Sequence, residues 1–355
     1  MKKKLYPMKF SPILKERVWG GDNLVKRYGK SLPVDEQGQP TGEINGNLVG
    51  ESWEVSSISE EDDSVVAEGY LAENSLSDIL ETYMGDLVGD NIFDWYNLQF
   101  PLLVKLLDVK GRLSVQVHPD DATAFERFYE YGKDEFWYVM ESSPEASVYM
   151  GFRRPTSAME FYEKCKDGTV EELLNVYHPR KGDCFMIKAG TVHACGDGVV
   201  IAEIQEPSDL TFRLYDWGRE FNPRTARPMH LDEAIDCIDF AAYDEASFHV
   251  DPKAGNGVVA DCDHFTVRVL DLASEREVAT DNLNSFIIYI CTEGSATIRV
   301  DGAEEGEEYG LHRGESVLIP AGLDDFTIRP AEGGVRLLEA TIRHIEEQED
   351  SYLKK

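Results

Sequence analysis

The decisive stretch of this chain reads Ser114-Val115-Gln116-Val117-His118-Pro119-Asp120-Asp121. It follows an apolar run from Pro101 to Val109, which predicts a buried strand. Because side chains alternate along a strand, Ser114, Gln116 and His118 are expected on one face. A polar face of this kind points to solvent or to a functional site, and two later segments favour a site.

Those segments are Gly132-Lys133-Asp134-Glu135, which opens an aromatic strand, and Ala189-Gly190-Thr191-Val192-His193, which places a histidine just after a turn. Each donor also has an ordinary interpretation. A lone histidine is usually a surface or satisfied core residue, and a lone glutamate is usually solvated. Together the segments offer imidazole nitrogens with amide and carboxylate oxygens, which suit a divalent ion such as zinc. The predicted ligands are Gln116, His118, Glu135 and His193.

At these residues the chain resembles type I phosphomannose isomerase (mannose-6-phosphate isomerase), in its short bacterial form. The resemblance covers most of residues 18–213. The matching pieces are residues 18–21, 50–54, 114–121, 132–135, 189–194 and 203–213. It implies cupin-type β-barrels, zinc bound by the four predicted ligands, and a catalytic arginine at Arg213. The region between Glu135 and His193 is compact, so features of the large helical domain of longer family members are not transferred.

The resemblance implies an aldose–ketose isomerase that interconverts mannose 6-phosphate and fructose 6-phosphate through a cis-enediol(ate). One zinc ion, or another divalent metal, would stabilise the negative charge that develops on the carbonyl oxygen. A base must take the carbon-bound proton. Glu203 and Asp209 match family active-site positions, and the sequence does not decide which group is the base. Arg213 would stabilise the enediolate or hold the phosphate, because its planar fork suits both roles.

A phosphosugar is an anion, yet the chain has a formal net charge of −32. A local basic pocket is therefore required, and Lys105, Lys133 and Arg213 lie in or beside the matched segments. Arg112 is interpreted as a surface cation. The expected catalytic residues are Arg213, Glu203 and Lys133. The expected substrate-binding residues are Ser114, Lys105, Asp209 and Trp19.

The acidic composition argues against nucleic acids and anionic membranes as partners. No apolar stretch approaches the ~18 residues that a membrane span needs, and the basic first residues lack the apolar segment of a signal peptide. Six cysteines without a CxxC pair are typical of reduced thiols. We therefore expect a cytoplasmic enzyme of small-molecule metabolism, with an oligomeric state that the sequence does not determine.

The pattern elsewhere is mostly β, interrupted by predicted helices at residues 75–84, 120–131 and 157–177. Ser75 is expected to cap the first of these helices and Gly85 to stop it. A Pro and Gly cluster at residues 251–257 predicts a domain boundary. Residues 1–250 would form the catalytic metal-binding domain, and residues 251–355 a second domain.

An internal repeat supports that second domain. Residues 181–190 align without a gap with residues 313–322, and residues 135–140 align with residues 285–290. In this alignment Ser285 replaces Glu135 and Asp325 replaces His193, so the second copy lacks the metal ligands. The predicted fold is two cupin-type jelly-roll β-barrels, with a few helices inserted in the N-terminal half and no metal in the tail barrel.

Two other classes stay open. A different metal-cupin enzyme, such as an iron oxygenase, would normally use more histidines or a facial triad. A non-catalytic sugar-binding cupin would not need the metal donors together with Glu203 and Arg213.

Overall fold

The structure, a computed structural model, describes residues 3–31, 48–243, 249–250, 257–280, 283–300 and 308–343. The strands are β1 (Phe10–Ser11), β2 (Ile13–Gly21), β3 (Val49–Val55), β4 (Val65–Val66), β5 (Leu103–Val109), β6 (Val115–Val117), β7 (Glu135–Ser142), β8 (Ser147–Phe152), β9 (Leu174–Tyr177), β10 (Cys184–Ile187), β11 (His193–Gly196), β12 (Val199–Gln205), β13 (Phe212–Tyr215), β14 (His249–Val250), β15 (Val258–Asp261), β16 (Thr266–Leu272), β17 (Arg276–Val278), β18 (Ile287–Val300), β19 (Glu308–His312), β20 (Ser316–Ile319) and β21 (Phe326–Thr341). The helices are α1 (Asn23–Tyr28), α2 (Leu76–Tyr83), α3 (Gly85–Val88), α4 (Asp90–Tyr96), α5 (Asp121–Phe128), α6 (Ala158–Asp167) and α7 (Leu231–Ala234), with 3-10 turns at Glu60–Asp62, Val170–Leu173, Arg219–Phe221 and Ile235–Cys237.

The first barrel is built from two antiparallel sheets. One has the strand order β14-β10-β7-β12-β5-β2-β3, and the other has the order β13-β6-β11-β8-β9. Their inner faces share a buried cluster in which Trp137 of β7 and Ile201 of β12 pack with Met150 of β8 and Cys195 of β11. Sequential side chains of a strand point to opposite faces, so this packing fixes which residues face the barrel interior.

The tail barrel is a single antiparallel sheet. Within the described residues, every strand from β15 to β21 pairs with another strand of that sheet, and the long strands β18 and β21 pair along most of their length. It has its own apolar interior, which includes Tyr289, Ile298, Phe326 and Leu337. The prediction of a mostly β fold with two cupin-type barrels is confirmed. The predicted boundary falls almost wholly outside the described residues and stays a prediction.

The two barrels are joined by a continuous apolar core. Phe136 and Tyr138 of β7 lie in the same buried cluster as Ile288 of β18 and Leu338 of β21. Because their neighbour Trp137 faces the first barrel's interior, β7 is buried on both faces, which explains why Glu135 to Met140 are all buried. We call this contact between the barrels the seam.

The predicted helices are confirmed in part. Ser75 caps α2 by accepting a hydrogen bond from the Asp78 amide at 3.2 Å. Gly85 does not end α2. Met84 takes the positive φ of 53° after the last helical residue, and Gly85 is the first residue of α3. Helix α5 ends at Phe128, before the predicted residue 131. The next residue, Tyr129, takes a φ of 59° and caps the helix.

The prediction of one helix over residues 157–177 is wrong in its second half. Gly168 ends α6 with a φ of 79°, a conformation that glycine adopts without strain. The apolar residues that followed the helical pattern lie instead in a 3-10 turn and in β9, which pairs with β8. No helix in the described part of the chain is both long and apolar enough to cross a membrane.

Candidate active site

Strand register brings three predicted site residues into one row. Gln116 lies at the centre of β6, directly opposite His193 on β11 and Arg213 on β13. Ser114 lies two residues before Gln116, and its Oγ is 3.3 Å from Gln116 Oε1. The row therefore crosses the smaller sheet on the face that looks into the first barrel.

Two histidines and a glutamate converge at one end of this row. Glu135 opens β7 on the opposite sheet, and its Oε1 and Oε2 lie 3.3 Å from His118 Nε2 and 3.4 Å from His193 Nε2 respectively. All three side chains are buried, with 1% or less of their surface exposed. Burying a carboxylate without a partner costs folding free energy, so Glu135 is expected to have cationic or hydrogen-bonding partners in this cluster.

The orientation of the imidazoles suits a metal ion. His118 Nδ1 is 2.9 Å from the Leu210 carbonyl oxygen, and His193 Nδ1 is 2.9 Å from the Thr191 carbonyl oxygen. These contacts fix the Nδ1–H tautomer and leave each Nε2 as a lone-pair donor towards Glu135. Glu135 Oε2 is buried without a hydrogen-bond partner. The donor set therefore fits a divalent cation such as zinc.

Gln116 stands beside this cluster with its amide nitrogen turned towards it. Gln116 Nε2 is 3.2 Å from His193 Nε2. Metal binding through the amide oxygen requires a half-turn of the amide group, which exchanges two atoms of nearly equal size. With that rotation Gln116 offers a fourth ligand.

Lys133 supplies a positive charge to the cluster. Its ammonium forms an ion pair with Glu135 and lies 3.3 Å from His118 Nε2. Burial and the Lys133 charge lower the pKa of His118 to about 3, so the ring is neutral, as a metal ligand must be. Burial alone would raise the pKa of Glu135, but Lys133 and the histidines outweigh it and hold that pKa well below its ordinary value.

The larger sheet contributes Glu203 and Lys105. They face each other across β12 and β5, and both are nearly fully buried. Glu203 Oε2 accepts a hydrogen bond from Trp137 Nε1 at 2.7 Å, while Lys105 Nζ lies 3.7 Å from Asp209 Oδ1. Burial, reinforced by the nearby Glu135 charge, raises the pKa of Glu203. A carboxylate with a raised pKa in such a setting is a candidate proton acceptor.

These groups line a cavity of about 400 Å³. Of the predicted site residues, nine lie in its wall: Trp19, Lys105, Ser114, Gln116, Lys133, Glu135, Glu203, Asp209 and Arg213. The other two, His118 and His193, do not line the cavity themselves but contact Glu135, which does. Arg112 pairs with Asp197 instead, away from the cavity wall.

Sequence reasoning missed four charged residues of the wall, namely Glu16, Arg17, Glu51 and Arg227. Arg17 holds Glu51 in a two-point ion pair, with Nε and a terminal nitrogen 2.8 Å and 3.0 Å from the two carboxylate oxygens. Arg227 reaches the cavity from the loop after β13 and pairs with Asp216. Glu51 lies inside a segment that carries the family resemblance, and this position could have marked it as a site residue. Arg17 lies just outside one, and Arg227 had no signal of its own.

Arg213 differs from the other basic residues of the wall. Arg17, Lys105, Lys133 and Arg227 each have a carboxylate partner, whereas Arg213 forms no ion pair with any described residue. One of its terminal nitrogens donates to the Pro228 carbonyl oxygen at 2.7 Å, and its Nε is buried with no hydrogen-bond partner in the described ranges. Burial and the nearby Arg227 lower the pKa of Arg213 to about 10. An anionic ligand would relieve both the unmet hydrogen bond and the repulsion.

The corresponding positions of the tail barrel have other partners. Ser285 Oγ accepts a hydrogen bond from the Ile342 amide at 3.1 Å, and Asp325 Oδ1 accepts one from the Thr280 amide at 2.9 Å. In the described residues no group of metal-ligating side chains lies wholly within this barrel.

Comparison with known proteins gives a consistent result. The family model described as phosphomannose isomerase type I, catalytic domain, matches residues 8–148, and the one described as mannose-6-phosphate isomerase, cupin domain, matches residues 257–338. The mannose-6-phosphate isomerase ManA of Bacillus subtilis (strain 168) is 30% identical over 329 residues, covering 91% of this chain and 95% of that protein. The mannose-6-phosphate isomerase of Streptococcus mutans is 28% identical over 316 residues, covering 88% and 92%. A crystal structure of the Bacillus subtilis mannose 6-phosphate isomerase superposes with a TM-score of 0.77 at 29% identity, covering 95% of this chain and 99% of that one.

Proposed function

The chain belongs to the mannose-6-phosphate isomerase family, and on that premise we propose that it interconverts mannose 6-phosphate and fructose 6-phosphate through a cis-enediol(ate) with one catalytic zinc ion. The observation that carries the proposal is one cavity with two poles. A buried His118–Glu135–His193 donor set lies at one end, and Arg213, which has no ion-pair partner among the described residues, lies at the other. A phosphorylated sugar has a metal-binding end and an anionic end to match.

Gln116, His118, Glu135 and His193 would hold the ion. A bound zinc would supply Lewis acidity at the sugar's O1 and O2, where negative charge develops during the reaction. Lys133 would have to leave Glu135 Oε1, because its ammonium lies against the same ligand atoms. Released from that ion pair, Lys133 would point into the cavity and bind a substrate hydroxyl or stabilise the developing charge.

Glu203 is the base that we favour. Trp137 occupies Oε2 and orients the carboxylate, so Oε1 is the oxygen that would accept the proton from carbon and return it. Its raised pKa brings it closer to neutral pH, where a general base works best. Asp209 is the weaker candidate, because half of its side chain is exposed.

Arg213 would bind the phosphate or the enediolate oxygen. Its unmet Nε offers a directed hydrogen bond, and Arg17 and Arg227 line the same cavity and add positive potential. Ser114 and Trp19 would contact the sugar from the wall. Trp19 Nε1 is buried without a hydrogen-bond partner, so a sugar hydroxyl would satisfy it.

A single assay tests this function. Zinc-loaded protein is incubated with mannose 6-phosphate, and fructose 6-phosphate is measured through a coupled dehydrogenase. We expect turnover that is lost on chelation and restored by zinc. A zinc-loaded protein that forms no fructose 6-phosphate would refute the proposal. Substrate binding without turnover would favour a sugar-binding cupin, and oxygen consumption would favour an oxygenase.

A further inference from the structure

A second group of metal-ligating side chains lies at the seam. Asp121 is the first residue of α5, and Glu206 directly follows β12, so both belong to the first barrel. His264 comes from the turn between β15 and β16 of the tail barrel. One ligand atom from each of these three residues lies within 4.8 Å of the others. None of them takes part in the site described above.

The contacts leave metal-ligating atoms unsatisfied. Glu206 Oε2 accepts a hydrogen bond from the Asp134 amide at 2.7 Å. Glu206 Oε1 is buried, in a side chain only 2% exposed, and has no hydrogen-bond donor in the part of the chain that the structure describes. His264 Nδ1 lies 3.1 Å from this oxygen, and His264 Nε2 lies 4.0 Å from Asp121 Oδ2. A zinc ion binds only one of the two imidazole nitrogens, and two of its ligands, each bonded at about 2.1 Å, lie about 3–4.2 Å apart. The 3.1 Å spacing of His264 Nδ1 and Glu206 Oε1 is therefore compatible with a shared ion, whereas Asp121 would have to move towards it.

The local charge also favours a cation. Asp134 lies beside Glu206, and no lysine or arginine in the described ranges forms an ion pair with Asp121, Asp134 or Glu206. Cys262, two residues before His264, lies outside this group, and its thiol donates to the Phe265 carbonyl oxygen.

We propose that Asp121, Glu206 and His264 bind a divalent transition-metal ion that stabilises the contact of the tail barrel with the first barrel. The orphaned Glu206 oxygen and one His264 nitrogen would be the fixed ligands. Asp121, whose side chain is 24% exposed, would turn to provide the third, and water would fill the open positions. This seam ion would be a second metal, whereas the sequence predicts one zinc per chain. Its role would be structural, because the ion would link the two barrels across the seam, with His264 as the one ligand from the tail barrel.

The test uses zinc alone and a background without the catalytic ligands. The His118→Ala/His193→Ala variant is dialysed against micromolar zinc, and bound zinc per chain is measured by mass spectrometry. We expect one zinc per chain and a thermal midpoint that rises with zinc. Adding His264→Ala should abolish both effects. Adding His312→Ala, an exposed histidine of the same barrel, should abolish neither.

Three results would overturn the proposal. One is a double variant that holds no zinc. The second is zinc that stays bound after His264→Ala, which would show adventitious binding elsewhere. The third is a loss of thermal stability in His264→Ala that is the same with and without zinc, which would show that His264 stabilises the seam without a metal. If the double variant does not fold, the wild-type chain is expected to bind two zinc ions and His264→Ala one, and equal numbers in the two proteins would refute the site.

Discussion

Lys105 and Glu203 lie opposite each other on neighbouring strands, with Lys105 Nζ 3.4 Å from Glu203 Oε1, and both side chains are at most 5% exposed. Lys105 Nζ also donates to Gln205 Oε1 at 2.8 Å. The ammonium is therefore held in place from two sides, and it stabilises the charged form of the carboxylate that we assign as the base. Removing one member of such a buried pair leaves an uncompensated charge.

Lys105→Met is expected to move the acid limb of the rate profile to higher pH. Burial and Glu135 already raise the pKa of Glu203, whereas Lys105 opposes that rise, so its loss raises the pKa further. A base must be deprotonated, and activity would therefore be lost earlier as the pH falls. We also expect a loss of roughly 3–5 kcal/mol in unfolding free energy. The profile of kcat against pH checks the shift, with the exposed Lys110→Met as control. An unchanged acid limb would remove Glu203 from the role of base.

His118→Ala and His193→Ala are each expected to remove the catalytic zinc and the isomerase activity while most of the fold remains. Each change deletes one of two imidazole donors whose Nε2 atoms face Glu135. Zinc should be counted by mass spectrometry in the His264→Ala background, so that a seam ion does not contribute. One tightly held zinc per chain after both histidines are replaced would contradict the assignment.

Arg213→Ala is expected to lower kcat/KM at least about 100-fold, as the loss of one directed donor to a developing anion does elsewhere. Zinc content should not change, because Arg213 is not one of the four proposed ligands. Arg213→Lys should restore activity only in part, since a lysine lacks the planar fork. Arg112→Ala is the matched control, because Arg112 pairs with Asp197 away from the cavity. Near-normal kinetics in Arg213→Ala would exclude the proposed role.

Asp325→Ala tests the metal-free tail barrel. Asp325 accepts hydrogen bonds from the amide and the hydroxyl of Thr280 at 2.9 Å and 3.3 Å, which is a structural use of the side chain. We expect unchanged zinc content and unchanged turnover, with a loss of about 1 kcal/mol in unfolding free energy. Loss of a bound ion would show that the tail barrel holds a metal and that the internal alignment misjudged it.

Local sequence signals predicted much of the candidate site. Alternation in a strand placed Ser114 and Gln116 on the same face, and the capping residue Ser75 located the start of α2. Local signals failed where helix and strand share an apolar pattern. The apolar pattern predicts a helix over Leu174 to Tyr177, yet these residues pair with β8, because the sheet edge offers hydrogen bonds that an isolated helical turn cannot match.

The sequence by itself determined the types of donor, their strands and the absence of a second Glu and His in the repeat, because these depend on residue identity and short-range periodicity. Only the tertiary structure decided that Gln116 faces both His193 and Arg213, that Arg17 and Arg227 line the cavity with Arg213, and that His264 meets Glu206 across the seam. Those contacts join residues far apart in the chain. They are fixed by strand order, register and the packing of one barrel on the other, which no local pattern specifies.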